Sequence, residues 1–255
     1  MKTKNLLGIF FLFLCTITLV SCGDDEKQEI YSLSFEKGYY ERPLLGAKNI
    51  PVRGGNRDYT VTVQNTDVLS INIDLSSPIG MGNLVVKPKQ KGETTVTVKD
   101  NVTNETVNLK IKIVDSYLNL KVAHPAQVPY TGGENLFFIN NSDRDFYLFD
   151  EKMEKKECTG NYQFLIKNST CYMILNFDKE LNDKSTYEYN ISNTSERMFT
   201  LIEILLGVDW NMKADLINRS TRSASPVIMN AVDTETNLTQ YFVAGSNDIP
   251  ENILD

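Results

Sequence analysis

The sequence predicts a mainly β chain of two domains, a β-sandwich followed by a second β-rich domain, sandwich or barrel, with one buried helix. Three observations predict it. Apolar and polar residues alternate with period two along most of the chain, as half-buried strands require. Clusters of Gly, Asn, Asp, Ser and Pro separate those runs. A single stretch carries helical signals at both of its ends. An apolar fraction of 41% is ordinary for a globular chain, and the wealth of Thr, Val, Tyr and Asn favours strands and turns.

The chain opens on Lys2 and Lys4 and an apolar run over residues 6–20, ending in Leu19-Val20-Ser21-Cys22. The run falls short of the ~20 apolar residues of a membrane span and reads as a secretory signal. Those last four residues resemble the lipobox of bacterial lipoproteins. The resemblance implies removal of residues 1–21 and acylation of Cys22, which becomes the first residue of the mature protein. Residues 22–29, with Asp24, Asp25, Glu26 and Glu29, form an acidic tether. They resemble the export signal of Bacteroidetes surface lipoproteins, which implies an outer-membrane, lipid-anchored and cell-surface location. More than one acyl chain is needed for a lasting anchor, since each buried methylene contributes only about 0.8 kcal/mol.

Residues 30–115 are expected to form the sandwich. Thr60-Val61-Thr62-Val63-Gln64, Val68-Leu69-Ser70-Ile71-Asn72-Ile73 and Thr94-Thr95-Val96-Thr97-Val98-Lys99 each place apolar side chains on one face. Val107, Leu109, Ile111 and Ile113 point one way, and Asn108, Lys110 and Lys112 the other. Turns fall at Gly54-Gly55-Asn56, at Ser76-Ser77-Pro78 with Gly80 and Gly82, at Lys91-Gly92 and at Asp100-Asn101. Ile50-Pro51-Val52-Arg53-Gly54-Gly55, Asn65-Thr66-Asp67-Val68-Leu69-Ser70-Ile71, Leu84-Val85-Val86-Lys87-Pro88 and the strand from Gly92 to Val98 together resemble a bacterial immunoglobulin-like domain of group 2. Such a resemblance implies a spacer or adhesive module whose shared motif is structural.

A junction at Asp115-Ser116-Tyr117 starts the second domain, residues 116–255. Strands are expected at residues 118–122, 135–139, 145–149, 162–166, 171–177 and 186–191, and a closing hairpin at 226–232 and 238–243. The helix is expected near 194–206, with Asn193 as cap, Glu196 completing a capping box and Gly207 as terminator. Met198, Phe199, Leu201, Ile202, Ile204, Leu205 and Leu206 make it apolar on most faces, so it should be buried. Both a sandwich and a lipocalin-like barrel fit this half.

Charge and side-chain chemistry exclude more than they select. A formal charge of −7 argues against a nucleic-acid partner. The lone histidine, His124, precedes Pro125 at a strand end and supports neither a catalytic triad nor, with Cys158 and Cys171, a zinc site. Residues 233–237 space oxygen-bearing side chains as calcium loops do, but Leu238 stands where an EF-hand needs Gly, so a hairpin turn is expected. Gly54-Gly55 and Gly132-Gly133 lack the context of a phosphate loop. No carboxylate pair, Asp209 with Asp215 included, is singled out for glycoside hydrolysis. No cofactor is indicated.

Cys158 and Cys171 would sit in an oxidising compartment, which favours a disulfide, whereas the strand assignment puts them ~15 Å apart. Both readings stay open here. Tyr39, Tyr40, Tyr130 and Trp210 could stack on sugar rings, or pack at the core margin with a polar tip outward. The resulting expectation is a membrane-anchored, non-catalytic binding or adhesion protein for a glycan or a surface protein. A structural accessory subunit of an outer-membrane assembly is the alternative, and a glycoside hydrolase the more remote one.

Overall fold

A computed structural model describes residues 29–210 and 227–254. The leader, Cys22 and the tether up to residue 28 lie outside the described residues, as does Asp215. Among the described residues no helix is long and apolar enough to cross a membrane.

The first half is a two-sheet sandwich. One sheet has the order β1-β7-β6-β3, built from β1 (Tyr39–Pro43), β3 (Tyr59–Val63), β6 (Gly92–Asp100) and β7 (Thr106–Val114). The other has the order β2-β5-β4, from β2 (Ile50–Pro51), β4 (Leu69–Asp74) and β5 (Asn83–Pro88). Alternation sets the faces: Val96, Val98, Leu109, Ile111 and Ile113 meet Ile50, Leu69, Leu84 and Val86 in one core. β1 runs parallel to β7, with Tyr39 opposite Lys110 and Pro43 opposite Val114. Neither β1 nor β2 was expected from the sequence, because short strands carrying Pro lack a run of alternation.

Direction along this sheet organises the rest. At one pole, the β6–β7 turn holds the incoming chain: Glu105 accepts from the Leu33 backbone N–H at 2.7 Å and the Ser32 hydroxyl at 3.2 Å. Asn56 exchanges bonds with both backbone groups of Tyr31, at 3.0 and 2.9 Å. β7 then climbs nine residues, ~30 Å, to Val114 at the other pole, where the second half begins.

That second half is a closed eight-stranded barrel: β8 (Tyr117–Val122), β9 (Asn135–Ile139), β10 (Asp145–Phe149), β11 (Lys155–Lys167), β12 (Thr170–Phe177), β13 (Thr186–Asn190), β14 (Ile228–Asp233) and β15 (Thr239–Ala244). Every strand is antiparallel to its neighbours, and β15 closes the ring on β8, with Phe242 opposite Val122. Of the two architectures the sequence left open, the barrel is the one formed. Closure leaves no open sheet edge. Its interior is filled by Leu120, Leu136, Phe138, Phe146, Tyr162, Met173, Leu175, Tyr189 and Phe242 among others, so it is a packed core with edge-to-face aromatic contacts. Gly160 makes the strand crossing at β11 fit: a Cβ there would lie 1.9 Å from the Asn176 carbonyl oxygen.

Helix α1 (Glu196–Leu206) lies at the barrel end that faces the sandwich, and two expectations about it are corrected. Its N-cap is Ser195, with no capping hydrogen bond from the side chain. The Ser195 hydroxyl instead donates to the Ile228 carbonyl at 3.2 Å, and the Asn193 carbonyl accepts from Asn230, so tertiary bonds replace the capping box. The helix is also not buried all round. Met198, Phe199, Ile202 and Leu206 enter the barrel core while Ile204 is 55% exposed. Gly207 ends the helix with φ +62° and donates to the Glu203 carbonyl, as expected for a left-handed terminator. Arg144 donates to the Leu206 carbonyl and, at 2.9 Å, to Asn140, placing a cation at the negative end of the helix.

β9 is buried on both faces because the outside of β8–β10 is covered too. Phe137, Ile139 and Phe149 form a second apolar layer under Val114 and the C-terminal strap, residues 245–254, which presses Ile249 and Leu254 onto it. The strap also grips the sandwich: Lys112 donates to the Leu254 carbonyl at 2.9 Å, Lys48 pairs with Asp248 at 2.9 Å and Lys37 with Glu251 at 3.0 Å.

Candidate functional site

The strands position the sequence-selected residues in separate places. Trp210 is 5% exposed, donates its indole N–H to the Phe199 carbonyl at 3.1 Å and meets the Phe199 and Phe164 rings edge-on. Tyr130 is buried at the opposite barrel end, edge-on to Phe242, where its hydroxyl accepts from Tyr189 at 3.4 Å. Tyr40 is buried in the sandwich and Tyr39 half-buried beside it on β1. Trp210 and Tyr130 are thus buried among core side chains and Tyr40 is buried at the sandwich margin beneath Arg42, so none of the three presents an open ring face. His124 stands exposed in the β8–β9 loop. Asp209 lies on the surface just beyond α1.

No disulfide joins Cys158 and Cys171. β11 runs unbroken from Lys155 to Lys167, and Cys171 pairs across from Ile166. Eight strand residues, ~26 Å, separate that rung from Cys158, well beyond the ~7 Å a disulfide tolerates. Residues 233–238 form the β14–β15 turn, in which Asp233 accepts from the backbone N–H groups of Glu235 and Thr236. Burial would raise the Asp233 carboxyl, yet these bonds and the Thr236 hydroxyl hold it below the usual carboxylate range. Among the described residues no group of three His, Cys, Asp or Glu side chains could hold a metal ion.

What the fold does bring together is a cleft between β1 and the strap, of about 430 Å³, lined by Glu36, Lys37, Tyr40, Glu41, Arg42 and residues 248–251. Four carboxylates face two cations there. Glu36 pairs with Arg53 at 2.8 Å, Glu251 with Lys37 and Asp248 with Lys48. Arg42 is occupied by the Glu41 and Lys48 carbonyls and rests 5.1 Å from the Tyr40 ring centre. Glu41 alone has no ion pair among the described residues. It is 7% exposed; its Oε1 accepts from the Tyr39 hydroxyl at 2.6 Å and the Asn252 N–H at 3.1 Å, and its Oε2 accepts from no described residue. Burial and the adjoining Glu41 carboxylate push the Tyr39 phenol up, so it stays a donor. With Lys48 and Arg53 counted, four cations balance the four carboxylates, so the cleft is charged but not net acidic, and the Glu41 Oε2 is enclosed beneath its surface. Sequence reasoning missed this site because residues 36–42 and 248–251 lie at opposite ends of the chain and no spacing rule links them.

A smaller groove of about 170 Å³ on the other side of the strap is lined by Leu45, Tyr117, Asn119, Leu201 and Leu205. The Asn119 Oδ1 there is likewise buried without a partner among the described residues.

No family model and no curated protein matches the chain. Among solved structures, the surface layer protein SbsC, domains 4-9, is similar at 10% identity and a TM-score of 0.29 over 85% of this chain. That match takes in 31% of the S-layer chain. The S-layer protein SbsC, domains 5-6, gives 11% identity and a TM-score of 0.28, with 85% of this chain and 97% of that one covered.

Proposed function

We propose that the chain is a lipid-anchored surface protein that binds a protein partner without catalysis, the sandwich acting as a spacer beneath the barrel. One observation carries this reading: the incoming chain is pinned at one pole of the sandwich and the barrel stands at the other. An anchor at Cys22 then places the barrel outermost. The solid barrel core favours recognition on the outer surface over a ligand held inside. Of the two partners expected from the sequence, a glycan loses its aromatic platform, whereas a protein with charged side chains of both signs suits the cleft beside Glu41.

The test uses intact cells and purified full chain. Cys22→Ala should release the chain from the membrane fraction, and external protease should degrade the wild-type protein on intact cells. Binding to a panel of polysaccharides and surface proteins should select a protein and weaken in Glu41→Gln. Membrane retention of Cys22→Ala, or protease resistance on intact cells, would sink the anchored reading; polysaccharide binding indifferent to Glu41 would sink the partner reading. The accessory-subunit alternative is favoured by one observation, an open sheet edge.

A further inference from the structure

The sandwich has two flanks, and they are finished differently. On one flank the outer strands are β1, which carries Glu41, Arg42 and Pro43 and lies beside the strap, and β2, two residues long and ending in Pro51. Charge, proline, shortness and a covering segment are the usual means of blunting an edge. On the other flank the outer strands are β3 and β4, and among the described residues neither pairs with a strand on its outer side. Residues 59–64 and 69–73 contain no charged residue, no proline and no glycine.

The hydrogen-bond phase of β3 shows which groups are open. Gln64 N–H donates to the Thr95 carbonyl and Asn101 N–H to the Asp58 carbonyl, so even-numbered residues turn their peptide groups toward β6. Tyr59, Val61 and Val63 turn theirs outward. Those three residues are spaced symmetrically about Val61.

We infer that β3 is a pairing edge for a second copy of this chain, joined antiparallel about Val61 into one eight-stranded sheet. Val61 then exchanges both of its backbone bonds with Val61 of the second copy, and Tyr59 does so with Val63. Thr60 faces Thr62, a favourable cross-strand pair, and Asp58 faces Gln64, so no like charges oppose each other. In this register the strand meets itself with no opposed like charges and no clash of proline or glycine, so the edge is self-complementary. The inference does not depend on the charged cleft or on the lipid anchor.

The full chain in detergent, followed by sedimentation equilibrium, tests it. Wild type should dimerise with rising concentration. Thr60 and Thr62 are exposed, so T60K/T62K leaves the core intact, as a thermal melt would check, while placing lysines opposite each other in the dimer. Association should weaken at least ~10-fold. T60E/T62E should be equally monomeric, and mixing the two variants should restore a dimer. A wild type that stays monomeric at several hundred micromolar, or a dimer that persists in the lysine variant, would overturn the inference.

Discussion

Trp210 illustrates how a residue's surroundings decide its role. Its N–H is satisfied by a backbone carbonyl and its ring wedges between two phenylalanines, so Trp210→Ala removes packing from the barrel core. The expected cost is about 3–5 kcal/mol, read as a lowered midpoint in urea. Asp100 is a buried carboxylate of a different kind. Burial would raise its carboxyl, but the Asn56 side chain and the backbone N–H groups of Val102, Thr103 and Asn56 outweigh it and hold the carboxyl low. A folded value below the unfolded one means that Asp100 contributes stability above about pH 4 and that this is lost as pH falls through the folded value. Asp100→Asn should lose about 1–2 kcal/mol at pH 7 and show a shallower fall in Tm between pH 5 and pH 2. The turn at Asp100-Asn101 was legible in the sequence. The convergence of Asn56 on it was not, because that contact spans two sheets' worth of chain.

Among the elements, strand signals located the strands with one wet face and also β9, covered on both faces, and they failed where a strand is short and carries Pro. β1 and β2 are the failures, and with them went half of the charged cleft. The other half is the strap, which has no periodicity of its own. Helix α1 was readable as a helix by its apolar spacing and Gly207, yet its cap was misread because Ser195 and Asn193 are engaged with β14. Arg144→Met should therefore destabilise the barrel by about 1–2 kcal/mol, through the unmet helix C-terminus, with a salt-sensitive difference in Tm. The β11–β12 hairpin turns on Asn168 and Ser169, both left-handed at φ 52° and 60°. That is the geometry glycine favours, so Ser169→Gly should raise stability by about 1 kcal/mol.

At the scale of the molecule, the strap couples the two halves: Ile249 is buried against the barrel exterior while Lys37, Lys48 and Lys112 hold neighbouring strap residues from the sandwich. Wild type should unfold in a single calorimetric transition. Ile249→Asp buries an unpaired charge, and should split that transition into two as sandwich and barrel lose their coupling. Nothing in the residue order of 245–254 announces this role, since it depends on which apolar face the barrel leaves outside.

The ring closure between β15 and β8 also imposes an order in time. Phe242 pairs with Val122, so the barrel waits for a stretch made long after its first strand. The sandwich, whose last strand ends at Val114, can be complete by then. During that interval β9 stands with apolar side chains on both faces and β8 with an unmatched ladder on one side. The growing chain thus depends longest on protection from its neighbours while its second half is unfinished.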